Sequence, residues 1–170
     1  AYVAANRFQL NDFAPYLYRT TDYGKSWTKI VSGITASEFT RVIREDPVRK
    51  GLLFAGTERG VWVSLDDGAH WQSLRRNLPP VPVHDIAIKN ADVVLGTHGR
   101  AFWIMDDIAS LRQLSAEVMA KDAHLFQPTD AYRTFGGATI QYWLKQGGQR
   151  VTLEFLDGQG QLIRKFTSDP

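Results

Sequence analysis

The 170-residue chain is 44% hydrophobic and 12% aromatic, enough to bury a core, which sets it apart from a disordered tail. Its charges nearly balance at +2 with no long basic run, so there is no electrostatic footprint for nucleic acid. No apolar stretch approaches the length that spans a bilayer, and the lack of cysteine excludes disulfides and thiol chemistry here without fixing a compartment.

The chain opens on a strand-like run, residues 2–7, with no initiator methionine, and stops at Ser168-Asp169-Pro170 just after another. Both ends read as cuts in a longer protein, so a signal peptide would lie outside this sequence. After a loop at 7–15 comes Thr20-Thr21-Asp22-Tyr23-Gly24-Lys25-Ser26-Trp27. It recurs as Ser64-Leu65-Asp66-Asp67-Gly68-Ala69-His70-Trp71, matching at every defining position of Ser/Thr-x-Asp-x-Gly-x-x-Trp. Between and around the copies, residues 39–45, 52–57, 61–65 and 71–74 read as four short strands, with Asp46-Pro47 and Lys50-Gly51 bracketing the first turn. A repeat of about 40 residues made of short strands is the length of one four-stranded propeller blade.

A third copy comes next. Gly96-Thr97 aligns with Gly56-Thr57, Phe102 with Trp62, and Asp106-Asp107 with Asp66-Asp67. It then decays, because Ile108 replaces Gly68 and Leu111 replaces Trp71. Its strands are expected at 83–88, 92–97 and 101–105. The runs Leu52-Leu53-Phe54-Ala55 and Val93-Val94-Leu95 are continuously apolar, which suits strands buried on both faces.

Turn chemistry explains the motif. The aspartate can accept hydrogen bonds from backbone N–H groups two or three residues on. Gly24 and Gly68 can take the positive φ of a tight hairpin. The Thr20 or Ser64 hydroxyl ties the arms, and Trp27 and Trp71 leave the turn to pack between sheets. A divalent cation on Asp66-Asp67 and Asp106-Asp107 is the weaker reading. The turn already uses one carboxylate of each pair, and oxygen-rich calcium sites need about six ligands or more. No metal or cofactor is expected.

On the stretches 20–27, 64–71 and Gly96-Thr97-His98-Gly99-Arg100-Ala101-Phe102-Trp103-Ile104-Met105-Asp106-Asp107, with Leu111-Arg112-Gln113-Leu114 after them, the chain resembles the bacterial Asp-box proteins labelled "glycosyl hydrolase, BNR repeat". Their propellers are similar to those of sortilin, xyloglucan-cleaving glucanases and sialidases. The resemblance covers about residues 1–114. It implies an all-β fold: a partial β-propeller of about two and a half Asp-box blades, in a secreted, periplasmic or cell-surface protein. It speaks for the fold more than for activity, since one fold hosts many functions.

The first copy lacks its innermost strand. The third loses its box and continues at 107–114 as a short helical turn, so it reads as the last blade, its fourth strand supplied by the N-terminal strand of the full protein. Residues 115–135 are expected as a linker: a helix over 115–121 with Ser115 as N-cap and Glu117 in its first turn, then an extended 125–128. Residues 136–170 hold strands at 140–144, 151–156 and 161–166. They resemble the opening of the immunoglobulin-like module of flagellar hook-capping proteins, truncated here because a sandwich needs about seven strands. With so many uncovered edges, the isolated chain is expected to be marginal or self-associating.

In an antiparallel meander the Asp boxes lie opposite the loops 7–15, 57–60 and 97–100 and the links 31–38 and 74–82. That second face gathers Arg7, Asp12, Glu58, Arg59, Arg75, Arg76, His98 and Arg100. In related propellers it carries the ligand funnel, and Arg-rich surfaces suit carboxylate or sugar-acid ligands. Arg7, Glu58, Arg59, Arg75, His98 and Arg100 are therefore the candidate ligand-binding residues. Equally, such loop charges are ordinary solvated residues, Glu58 and Arg59 can simply pair with neighbours, and Arg100 can tie the last blade to the linker. Trp62 and Trp103 read as core, and His70, His84 and His124 have no zinc-ligand spacing. Glycoside hydrolysis needs two carboxyls flanking the scissile bond; Asp12, Glu38 and Glu58 are available but no motif links them. Two functions compete: a carbohydrate-binding or glycoside-hydrolysing protein, this segment itself being non-catalytic, and a sortilin-like propeller that binds peptides or proteins or acts in assembly. The remaining blades of the same propeller would be further partners.

Overall fold

The computed structural model of the chain describes residues 1–131 and 138–168. It is all-β, made of small antiparallel sheets, none closed into a barrel. β1 (Tyr2–Arg7), β2 (Asp12–Arg19) and β3 (Thr28–Lys29) form the first, with a 3₁₀ turn at Phe8–Leu10. β4 (Thr40–Glu45), β5 (Leu53–Thr57), β6 (Val61–Ser64) and β7 (Gln72–Ser73) form the second in simple meander order. β8 (Val83–Lys89), β9 (Asp92–Thr97) and β10 (Phe102–Met105) form the third. Two short helices come after it, α1 (Ala109–Gln113) and α2 (Ala116–Ala120). The pairs β11 (Ala123–Leu125) with β12 (Tyr142–Leu144) and β13 (Thr152–Leu156) with β14 (Leu162–Thr167) complete the described chain.

The two full copies of the repeated turn fold alike, atom for atom. Thr20 Oγ1 donates to Asp22 Oδ1 at 2.8 Å and accepts from the Gly24 amide at 2.9 Å. Ser64 Oγ does the same with Asp66 Oδ1 and the Gly68 amide, at 2.8 and 2.9 Å. Each aspartate then accepts an amide four residues on, not two or three: Ser26 at 2.9 Å and His70 at 2.8 Å. The longer reach follows from two successive left-handed residues, Tyr23-Gly24 and Asp67-Gly68, which fold the turn back over the carboxylate. Its neighbour Asp67 bonds Arg19 and the Tyr2 hydroxyl, locking the second turn to the first sheet.

Successive sheets stack through their leading strands, β4 against β1 and β2, and β8 against β4 and β5. The buried Thr40 hydroxyl stitches the first joint, donating toward the Ala5 and Tyr16 carbonyls at 3.0 and 2.9 Å and accepting the Tyr16 amide at 3.1 Å. One core, with Leu17, Ile30, Ile34, Ile43, Leu53, Ala55 and Trp71, fills the first interface. Another, around Phe54, Val61, Val83, Ile86, Val93 and Leu95, fills the second. β5 is buried throughout because a sheet covers each face. β9 is only alternately buried, because among the described residues no sheet lies over its far face.

Trp71 shows how one repeat holds the next. The link after β3 clasps it: the Trp71 amide donates to the Ser32 carbonyl and its indole Nε1 to the Ile30 carbonyl, both at 2.8 Å. Gly33, at φ +99°, is the close approach, since a Cβ there would sit 2.3 Å from the Trp71 carbonyl oxygen. Trp27, at the same position of the first copy, has no such clasp and is 44% exposed, against 3% for Trp71.

Three expectations are corrected. The third hairpin is one residue longer, with Thr97 N bonding Ala101 O where Thr57 N bonds Gly60 O. Leu95 therefore pairs with Trp103 as Ala55 pairs with Trp62, so the counterpart of Trp62 is Trp103 and not Phe102. Second, Ala123–Leu125 is a strand paired with Tyr142–Leu144, so the segment read as linker shares a sheet with the segment read as the next module. The boundary expected between 135 and 136 lies outside the described residues, as does Asp169-Pro170. Third, among the described residues the three strands expected in that module do not share a sheet, and the β13–β14 hairpin is solvated on most of its surface.

Ser115 caps α2 through its hydroxyl, which accepts the Val118 amide at 3.2 Å, with Glu117 in the first turn. α1 is held to the second sheet by Arg112, which brackets the buried Asp46 carboxylate with Nε at 3.0 Å and a terminal nitrogen at 2.8 Å. Burial pushes that carboxyl up, but Arg112 and the Arg49 and Val48 amides outweigh it and hold it below the ordinary range.

Candidate functional site

The register of the leading strands aims side chains at one end of the stack. In β4 pairing slips between Thr40 and Val42, and in β8 between Val83 and Asp85. The unpaired residues are Arg41 and His84. A bulge of this kind re-aims its side chain, and both turn toward the hairpins 57–60 and 97–101.

There they build a continuous ridge over all three sheets. Phe8, from the first hairpin, stacks on Phe39 at 5.0 Å, and Phe13 leans on Phe39 at 6.1 Å. The Arg41 guanidinium lies 4.9 Å from the Phe39 ring centre and 5.7 Å from that of Phe8, a cation–π arrangement. Its Nε and one terminal nitrogen donate to Glu58 Oε2 at 2.9 and 2.6 Å. His84 comes next, its ring 5.1 Å from that of His98. Partial burial, then the positive charge of Arg41 and the His98 ring, hold His84 below the usual imidazole range, against the pull of Glu58.

The expected binding residues divide. Glu58 and His98 meet in this ridge through Arg41 and His84. Arg7 sits at its far end, 3.6 Å from Asp12. Arg75 lays its methylenes over Gly60, beside the same hairpin. Arg59 and Arg100 are exposed and form no ion pair among the described residues. The tie between the third sheet and α1 is made by Arg112, which reaches the Asn90 carbonyl at 2.6 Å, and not by Arg100. Arg41, His84, Phe8 and Phe39 were missed. Their one signal was position, at or just before a strand start or within a hairpin.

The three acids considered for catalysis are each engaged. Asp12 accepts the Tyr16 hydroxyl at 2.7 Å and the Ala14 amide at 3.1 Å, and these with Arg7 hold it below the ordinary range. Glu38 Oε2 accepts from Thr57 Oγ1 at 3.0 Å and Trp62 Nε1 at 3.1 Å, and Glu58 belongs to Arg41. The face therefore offers ring faces, imidazoles and guanidinium donors. Among the described residues no three His, Cys, Asp or Glu side chains converge as a metal site, and no helix is long and apolar enough to cross a membrane. No protein-family model matches the chain, and no match was found among the curated proteins.

Proposed function

We propose that the chain is part of an Asp-box β-propeller of the glycosyl hydrolase and sialidase-like class, in a secreted, periplasmic or cell-surface protein, and that its loop face binds acidic carbohydrate. The observation that carries the reading is the unbroken ridge Phe8, Phe39, Arg41, Glu58, His84, His98, which crosses all three sheets at one end. The partly exposed rings of Phe8 and Phe13, backed by the buried Phe39, lay apolar surface beside these polar groups. The guanidiniums of Arg59, Arg75 and Arg100, which form no ion pair among the described residues, match carboxylates by bidentate hydrogen bonds. The stacked sheets and duplicated turns support successive blades, and the β13–β14 hairpin is read as the start of an immunoglobulin-like module. Because the nearby acids are engaged, this segment contributes binding, and any hydrolysis by the whole protein draws its carboxyl pair from other blades.

The test is a titration followed by amide chemical shifts, with a galacturonate oligosaccharide against a neutral glucose oligosaccharide. Shifts clustered on Arg41, Arg59, His84, His98 and Arg100 with the acidic sugar alone are expected, weakened in Arg41→Ala. No shift with the acidic sugar, or shifts confined to the Asp22 and Asp66 turns, would sink the reading. Competition for the same residues by an acidic peptide would favour the sortilin-like alternative.

A further inference from the structure

The chain has four histidines, and two of them, His84 and His98, stand together on the loop face. The bulge between Val83 and Asp85 holds His84 out of the β8–β9 ladder. The His98 amide donates to the Pro82 carbonyl at 2.9 Å, which ties the hairpin 97–101 to the residue just before β8. These two backbone features set the ring centres 5.1 Å apart, and both residues remain exposed, within reach of a ligand.

The charges around the pair are mostly of one sign. β4 supplies Arg41, the hairpin 57–60 supplies Glu58 and Arg59, and the hairpin 97–101 supplies Arg100. Arg75 lies over Gly60 of the first of these hairpins. Glu58, the carboxylate that faces His84, already accepts two N–H groups of Arg41 through Oε2. Asp85, beside His84 on β8, is engaged by Arg44 at 2.8 Å. Partial burial, then Arg41 and His98, hold the His84 imidazole below its ordinary range, so it is neutral at neutral pH. A proton there adds a cation where too little negative charge stands to balance it.

We infer that the His84–His98 pair couples the binding of an acidic ligand on this face to the uptake of a proton, so that the ligand is held more tightly in mildly acid solution than at neutral pH. The inference rests on the acidic-carbohydrate reading of the face and adds its regulation. A ligand carboxylate seated among these groups supplies the missing counter-charge and favours the imidazolium. By reciprocity the imidazolium, with both ring nitrogens as donors, favours the carboxylate by the same factor. The bound ligand raises the pH at which the pair takes up its proton. Affinity therefore climbs as pH falls from the midpoint of the bound pair to that of the free pair, and levels off below it.

The test titrates the galacturonate oligosaccharide onto the 170-residue chain by calorimetry between about pH 5 and 8, where its carboxylates stay ionised. Affinity should rise roughly tenfold toward the acid end, the factor that corresponds to a one-unit change in one imidazole. The binding heat should also differ between two buffers of unlike protonation enthalpy, which reports the proton taken up. In the His84→Gln, His98→Gln double variant the pH dependence should vanish, whereas His70→Gln, at the Asp66 turn, should keep it. Should the double variant no longer bind, the parent's imidazole signals decide, since His84 should titrate at higher pH with the sugar bound and an unmoved midpoint would overturn the coupling. Affinity that is constant with pH, or that falls on acidification, would overturn the coupling and leave the carbohydrate reading standing. So would a pH dependence that the double variant retains. Absence of binding at every pH would sink the reading of the face, and this inference with it.

Discussion

Trp71 and Trp27 occupy one motif position in two environments, which makes them a matched pair for measuring the contribution of the clasp. An indole side chain buries roughly 200–250 Å² when fully covered. At about 25 cal/mol/Å² that is roughly 5–6 kcal/mol, and a compact unfolded state brings it near 4. Trp71→Ala, at 3% exposure, should therefore cost about 4 kcal/mol, within the usual range for such truncations. Removing the indole also leaves the Ile30 carbonyl without its donor, about 1 kcal/mol more. Trp27 is 44% exposed, so Trp27→Ala should cost roughly half the transfer figure, about 2 kcal/mol. Urea unfolding followed by far-ultraviolet circular dichroism measures both without relying on tryptophan emission. Trp71→Phe, which keeps most of the apolar surface, covers the case in which the alanine variant does not fold. Equal losses at the two sites would refute the claim that the preceding link, and not the turn itself, is what stabilises the tryptophan.

Gly33→Ala should destabilise strongly, since the new methyl would strain φ +99° and collide with the Trp71 carbonyl; a thermal melt unchanged from the parent would contradict the clasp geometry. Arg112→Ala leaves the Asp46 carboxylate, whose side chain is 0% exposed, without its cation, a loss of about 3–5 kcal/mol measurable by urea titration. Because the folded Asp46 carboxyl is held below its ordinary value, its contribution is present above about pH 4 and lost as pH falls through the depressed value. In the Asp46→Asn, Arg112→Met double variant the acid limb of the stability curve should flatten; an unaltered limb would assign the acid sensitivity to other carboxylates.

Whatever repeats or alternates was legible in the sequence. The copies at 20–27 and 64–71 share the hydroxyl, the aspartate and the glycine that the turn network uses, so the motif's parts were legible before any coordinate, though the amide that each aspartate accepts lies farther along than expected. The strand positions followed from apolar runs and turn residues. Distances across the sheets were less accessible. A bulge arises where two ladders slip, and nothing about Arg41 or His84 as residues announces that they lie in one. The Asp46–Arg112 pair joins positions far apart in sequence, with no local motif. The slip from Phe102 to Trp103 came from one additional residue in a hairpin, which flips every side chain of a strand to the opposite face. Strands of three residues, such as β11 and β12, are too short for alternation to register.

The clasp around Trp71 also has a direction in time. The seat at 30–34 precedes its tryptophan in the chain, so it emerges first during synthesis from the N-terminus. Leu53 and Ala55, which complete the seat, also come before Trp71, so every residue that surrounds the indole precedes it in the chain.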